Sequence, residues 1–207
     1  DQRLAAAWRT TPVRGPPPGI ASALGNDGRT TIYQVSIVDG RDGFTVGIAT
    51  QDASVFNGGI AGANAIGSGS ASATGDMAVT SIYQTTVVVQ RGSGTASVAQ
   101  GSHVDNIGSA DATSAGIADA RAVGNASSTT VHQTVVVLIL GSGDAQVSQM
   151  ADVTNAGVAT AVATDRFTSA SGTTATTDVS QLAVLVVHDD DVTVTQTSTT
   201  VNVGVGN

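Results

Sequence analysis

The chain has 207 residues, a formal net charge of -8 and a sequence pI near 4.4, with 41% hydrophobic but only 3% aromatic residues. Nucleic-acid binding is excluded as a first reading because no basic stripe is present to neutralise phosphates. No apolar run exceeds six residues, the length of Val135 to Leu140, against the roughly 20 that a membrane-spanning helix needs.

Every charged residue is Asp or Arg. The chain lacks Lys and Glu, two of the commonest helix formers, and uses Val, Thr, Ser, Gly and Asp throughout, which is a composition for strands and turns. It also lacks Cys, so the fold uses no disulfide and no thiolate metal site.

In chain order, residues 1–18 (DQRLAAAWRTTPVRGPPP) belong to no repeat and hold all four prolines and the single tryptophan, Trp8. Prolines favour an extended, polyproline-like path. The expectation is an N-terminal arm that reaches onto a neighbouring subunit, with Trp8 as its anchor. Residues 19–207 form the second region and are internally repetitive, which is the feature to settle before any local reading.

Within that region, IYQ, IYQ, VHQ and VSQ align on Gln34, Gln84, Gln133 and Gln181, at spacings of 50, 49 and 48 residues. Each is followed by a second glutamine, at Gln51, Gln100, Gln149 and Gln196. Six residues later stand Asn57, Asn106, Asn155 and Asn202, and two further on Gly59, Gly108, Gly157 and Gly204. An Ala-x-Gly element ends nine residues before each first glutamine, at Gly25, Gly75, Gly124 and Gly172. Between the two strand marks of a repeat lie turn segments such as Gly92-Ser93-Gly94 and Gly141-Ser142-Gly143, where glycine is expected to supply the positive φ of a tight reversal.

Alternate residues of a strand share a face. In step with the second glutamine lie small residues and valines, such as Ala53, Val55, Val104 and Val153, then the asparagines and glycines. The out-of-phase positions carry Asp52, Asp105 and Asp111. In step with the first glutamine lie Ile32, Ile82, Val131 and Val179.

A face of this kind suits identical coils stacked on one another. A primary amide both donates and accepts, so each Gln or Asn can bond its copy one rung away, whereas stacked carboxylates would repel. The predicted fold is all-β: a β-solenoid of four coils of about 48–50 residues, with the Gln, Asn and Gly columns as structural ladders. In this arrangement the run from Val135 to Leu140 is an inner strand of the third coil.

The two ends carry a further expectation. Residues Gly19 to Gly25 (GIASALG) match the later return segments, while the fourth repeat stops five residues after Asn202 without a return of its own. Head-to-tail stacking of copies would continue the solenoid, since neither end carries a polar capping coil.

Other constellations are weaker. Asp189-Asp190-Asp191 and the turn from Asp39 to Gly43 match no complete calcium loop, and His103, His132 and His188 share no metal-ligand spacing, so no metal or cofactor is expected. Asn125-Ala126-Ser127 fits the N-glycosylation acceptor pattern and is expected to face outward. No convergent acid, base and nucleophile emerge from the repeat positions, so the chain is not read as an enzyme.

Repeats with inward Gln and Asn ladders, alternating with Ala, Val and Gly, resemble the curlins, the secreted subunits of bacterial functional-amyloid fibres. The resemblance implies that Gln51, Gln100, Gln149, Gln196 and their asparagines are ladder residues of a fibre core. The expected function is a self-assembling structural subunit, a homopolymer outside the cell or on its surface, attached to a surface or matrix. The alternative is a monomeric solenoid that acts as a surface adhesin or ligand-binding module.

Overall fold

The structure, a computed structural model, describes residues 2–5, 10–14, 20–41, 45–66, 69–164, 166–188 and 191–207. Its elements are all strands: β1 (Gln2–Ala5), β2 (Thr10–Arg14), β3 (Ala21–Gly40), β4 (Thr45–Ile66), β5 (Ala71–Gln90), β6 (Gly94–Ala115), β7 (Ala120–Ser142), β8 (Ala145–Ala163), β9 (Thr168–His188) and β10 (Val192–Gly206). The long strands alternate in sequence between two parallel sheets. One has the order β3-β5-β7-β9; the other has β4-β6-β8-β10, with β1 and β2 both on the outer edge of β4. Two parallel sheets wound from alternating strands make a β-solenoid-like, all-β fold.

The repeat marks fall in register. Gln34, Gln84, Gln133 and Gln181 are successive strand partners in the first sheet. Gln51, Gln100, Gln149 and Gln196 are partners in the second, as are the asparagines from Asn57 to Asn202 and the glycines from Gly59 to Gly204. A slip of one residue would turn each column to the other face, so the buried columns fix the pairing.

Between the sheets the core is built in blocks. Near the turns at residues 91–93 lie Val88, Val98, Val137, Val147 and their neighbours. Ile32, Ile82, Val55 and Val104 occupy the middle. The far end holds alanine alone, from Ala21 and Ala61 to Ala122 and Ala161. Only small side chains fit there because the two backbones touch just before it. A Cβ added to Gly108 would land on the Gly124 carbonyl oxygen, and one added to Gly157 on that of Gly172. The repeated Asn-x-Gly and Ala-x-Gly elements are therefore two halves of one contact, which strips the local packing to backbone against backbone.

Three sequence expectations change here. First, the segment read as a separate arm supplies β1 and β2, which pair in parallel with the chain's own β4: Gln2 to Ala5 lie beside Ala53 to Phe56, and Thr10 to Arg14 beside Ile60 to Asn64. The backbone thus takes the place of a further rung, and covers groups that an edge strand would leave unpaired. Backbone pairing needs none of the repeat's side-chain marks, which is why sequence reading missed it. Trp8 lies outside the described residues.

Second, Asn125 does not face outward. The alternation of buried and exposed residues slips by one at Gly124–Asn125, as it does at Gly25–Asn26 and Gly75–Asp76, so both members of each pair point inward. Asn125 is fully buried and its Nδ2 donates to the Asn106 carbonyl at 3.2 Å, which closes it to a glycosyl group.

Third, the turn glycines do not supply positive φ. Among the described residues only Gly116 does, at 121°. Gly143 is required for another reason: a Cβ there would strike the backbone of Gly94, its counterpart one turn away.

Candidate assembly interface

The in-register columns bring the predicted glutamines and asparagines together as three hydrogen-bonded ladders. In the first, Gln84 Nε2 donates to Gln34 Oε1 at 2.7 Å, Gln133 to Gln84 at 2.8 Å and Gln181 to Gln133 at 2.8 Å. In the second, Gln100 donates to Gln51 at 2.9 Å, Gln149 to Gln100 at 2.9 Å and Gln196 to Gln149 at 2.6 Å. The third runs the other way. Asn57 Nδ2 donates to Asn106 Oδ1 at 2.7 Å, Asn106 to Asn155 at 2.7 Å and Asn155 to Asn202 at 2.8 Å.

The amides before the last strand, β10, also donate an N–H across the gap between the sheets. Gln84 donates to the Gly101 carbonyl and Gln133 to that of Met150, while Asn57 and Asn106 donate to the hydroxyls of Thr80 and Thr129. Burial of a primary amide costs free energy unless both its donors and its oxygen are engaged. Here Gln100, Gln133, Gln149, Asn106 and Asn155 are all buried, and all are engaged along and across the stack. The threonine partners Thr80, Thr129 and Thr177 were missed in the sequence because hydroxyl residues are spread over the whole chain.

The polarity of the ladders gives the two ends of the stack different chemistry. At the β3/β4 end, Gln34 and Gln51 point an amide N–H outward and Asn57 an oxygen. At the β9/β10 end, Gln181 and Gln196 present oxygens and Asn202 an N–H. The two faces are therefore donor-acceptor complements of each other and not of themselves.

One column departs from amide chemistry. Asn26, Asp76, Asn125 and Thr173 are strand partners. Asn26 Nδ2 donates to Asp76 Oδ1 at 2.8 Å, but Asp76 Oδ2 and its neighbour's Asn125 Oδ1 have no partner. Burial raises the Asp76 carboxyl from 3.8 to about 6, against the lowering effect of the Asn26 bond. A proton on Oδ2 would turn that orphan acceptor into a donor, on the strand neighbour of the residue that carries the other orphan acceptor. Gln90 is likewise buried outside any repeat column, donating to the Thr45 and Thr95 carbonyls.

The outer faces are distinct. Tyr33, Tyr83 and His132 stack one above the other outside the first sheet, with ring centroids 4.9 Å and 5.4 Å apart. Outside the second sheet His103 bridges Asp105 at 3.0 Å and Asp152 at 3.3 Å. The turn acid Asp39 pairs with Arg41 and Arg91. Among the described residues no group of three or more His, Cys, Asp or Glu could hold a metal ion, and no helix is long and apolar enough to cross a membrane.

No family model, no curated protein and no solved structure matches this chain.

Proposed function

We propose that this chain is the structural subunit of an extracellular or cell-surface filament. Four coils of about 48–50 residues form its body, and copies stack head to tail. The observation that carries the reading is the polarity of the ladders: within each ladder every rung donates in one sense, the two glutamine ladders towards the β3/β4 end and the asparagine ladder towards the β9/β10 end, so the β9/β10 face of one copy matches the β3/β4 face of the next. A head-to-head contact would set donor against donor. The relation is heterologous and open, which gives filaments and not closed dimers.

Stacking places β10 of one copy where β1 and β2 lie on β4. Following the register, Ser198 to Val201 would take the positions of Gln2 to Ala5 beside Ala53 to Phe56, and β1 and β2 must leave. The exchange favours assembly. β10 pairs with β8 over 15 residues, Val192 to Gly206, and brings two amide ladders with it, whereas β1 and β2 supply 4 and 5 residues, one of them Pro12 without an N–H.

The same β1–β2 cover favours a second reading, a monomeric surface adhesin or ligand-binding module whose edge stays closed. Cross-linking separates the two. The chain has no Cys, so Ser54→Cys with Thr199→Cys introduces the only thiols. Within one chain these positions are three rungs apart, roughly 14 Å and beyond disulfide reach; between stacked copies they are adjacent. Oxidation giving a ladder of covalent oligomers supports the filament, and oxidation leaving only monomer supports the closed module.

A further inference from the structure

The outer face of the β3-β5-β7-β9 sheet is apolar over the second half of its strands. Ile37, Val87, Val136 and Val184 form one outward column through all four strands. Beside it on one flank run Val89, Leu138 and Val186. Exposure reaches 72% at Ile37, 71% at Val35 and 56% at Val186, and none of the described residues covers this patch. The run from Val135 to Leu140 shows why. Val135, Val137 and Ile139 are buried, but Val136 and Leu138 face out, so burial between the sheets accounts for only half of it.

A parallel sheet with apolar residues on both faces is a sheet covered on both faces, and a flat exposed patch of this kind marks an interaction surface. Its polar positions are Thr85 and Thr134, between Val35 and Leu182 in the neighbouring outward column, and Asp39. Asp39, at the corner, is neutralised by Arg41 at 3.2 Å and Arg91 at 3.8 Å. The opposite sheet is different, with Asp52, Asp105, Asp152 and His103 along the middle of its outer face.

The rows of the patch repeat at the strand spacing of roughly 4.8 Å. A partner that interlocks with every row must have the same spacing and the same relief, and a second copy of this face meets both conditions. We infer that this face is a lateral interface by which two filaments of this chain pair side by side, with the apolar columns of one packed against those of the other. The inference rests on the filament reading.

The area sets how such pairing behaves. Four strands at about 4.8 Å and six residues at about 3.3 Å each enclose roughly 400 Å² per copy, or about 800 Å² in total, half of the roughly 1,600 Å² of a standard stable interface. Two free chains therefore pair weakly. Stacked chains add their patches along the axis, so pairing strengthens with filament length and follows stacking.

The test is electron microscopy of filaments from wild-type protein and from Val136→Lys. Val136 faces outward, so the substitution leaves the inner columns intact, and circular dichroism checks the fold. Wild-type filaments are expected in pairs. In the variant the paired fraction falls at least about tenfold, because the lysines would be buried without partners, while single filaments persist. Mixing preformed Val136→Lys and Val136→Asp filaments restores pairs.

Single wild-type filaments, or a Val136→Lys variant as paired as wild type, would overturn the inference. Absence of filaments from wild-type protein would instead overturn the stacking reading and take this one with it. Should lysine prevent folding, Val87→Thr with Val136→Thr keeps both β-branches and is expected to thin the pairs without unfolding the subunit; unchanged pairing there would also overturn it.

Discussion

Asp76 offers the sharpest test of how the interior is built. It is fully buried in a column of amides, and its carboxyl is raised from 3.8 to about 6 by loss of hydration. Because the folded state holds the proton more tightly than the unfolded one, the stability it contributes is fully present below pH 3.8 and is lost as the pH rises through about 6. The step from 3.8 to about 6 makes the loss about 3 kcal/mol by neutral pH. Asp76→Asn removes the titration and supplies an N–H for the orphaned Asn125 Oδ1.

Urea unfolding, followed by far-ultraviolet circular dichroism where the chain sediments as a monomer, measures both effects. Wild-type stability should fall by about 3 kcal/mol between acid and neutral pH. The variant should lack that component and exceed wild type at neutral pH by a similar amount. A wild-type stability independent of pH over this range, or a variant with the same slope, would refute the reading that burial raises the Asp76 carboxyl.

The remaining predictions concern the ladders, the glycine contact and the edge. Gln149→Glu replaces an N–H that donates to Gln100 Oε1 at 2.9 Å with a carboxylate facing acceptors; a loss of about 3–5 kcal/mol in urea unfolding is expected, and normal stability with normal filaments would contradict the inward ladder. Gly108→Ala drives a methyl into the Gly124 carbonyl and should cost about 3 kcal/mol or more. Gly62→Ala, with nothing within 4 Å of the added Cβ, should stay within about 1 kcal/mol of wild type, on the stabilising side; thermal unfolding compares the two. Arg3→Cys with Ser54→Cys joins strand partners of β1 and β4. Oxidation should hold the cover closed and stop filament growth measured by light scattering, and reductant should restore it.

The columns were legible because period-2 spacing and a constant offset between Gln, Asn and Gly leave one register that buries them all. What was not legible has physical causes. The slip in alternation at Gly25, Gly75 and Gly124 hides a whole column, since strict alternation turns Asn26, Asp76 and Asn125 outward when they are in fact buried. The glycine marks were visible, but their meeting across the sheets depends on how the chain returns, which no local spacing states. β1 and β2 pair through the backbone alone and carry none of the repeat residues. The run from Val135 to Leu140 signals burial on two faces, and only the sheet arrangement distinguishes the covered face from the open one.

The central claim is continuous stacking of rungs between copies, and cryo-electron microscopy of the purified chain tests it most directly. Four rungs at about 4.8 Å predict an axial rise of roughly 19 Å per subunit, with the amide columns unbroken across each junction and β10 of one copy on β4 of the next. Monodisperse single chains with β1 and β2 still on β4, or filaments of another rise with interrupted columns, would contradict it.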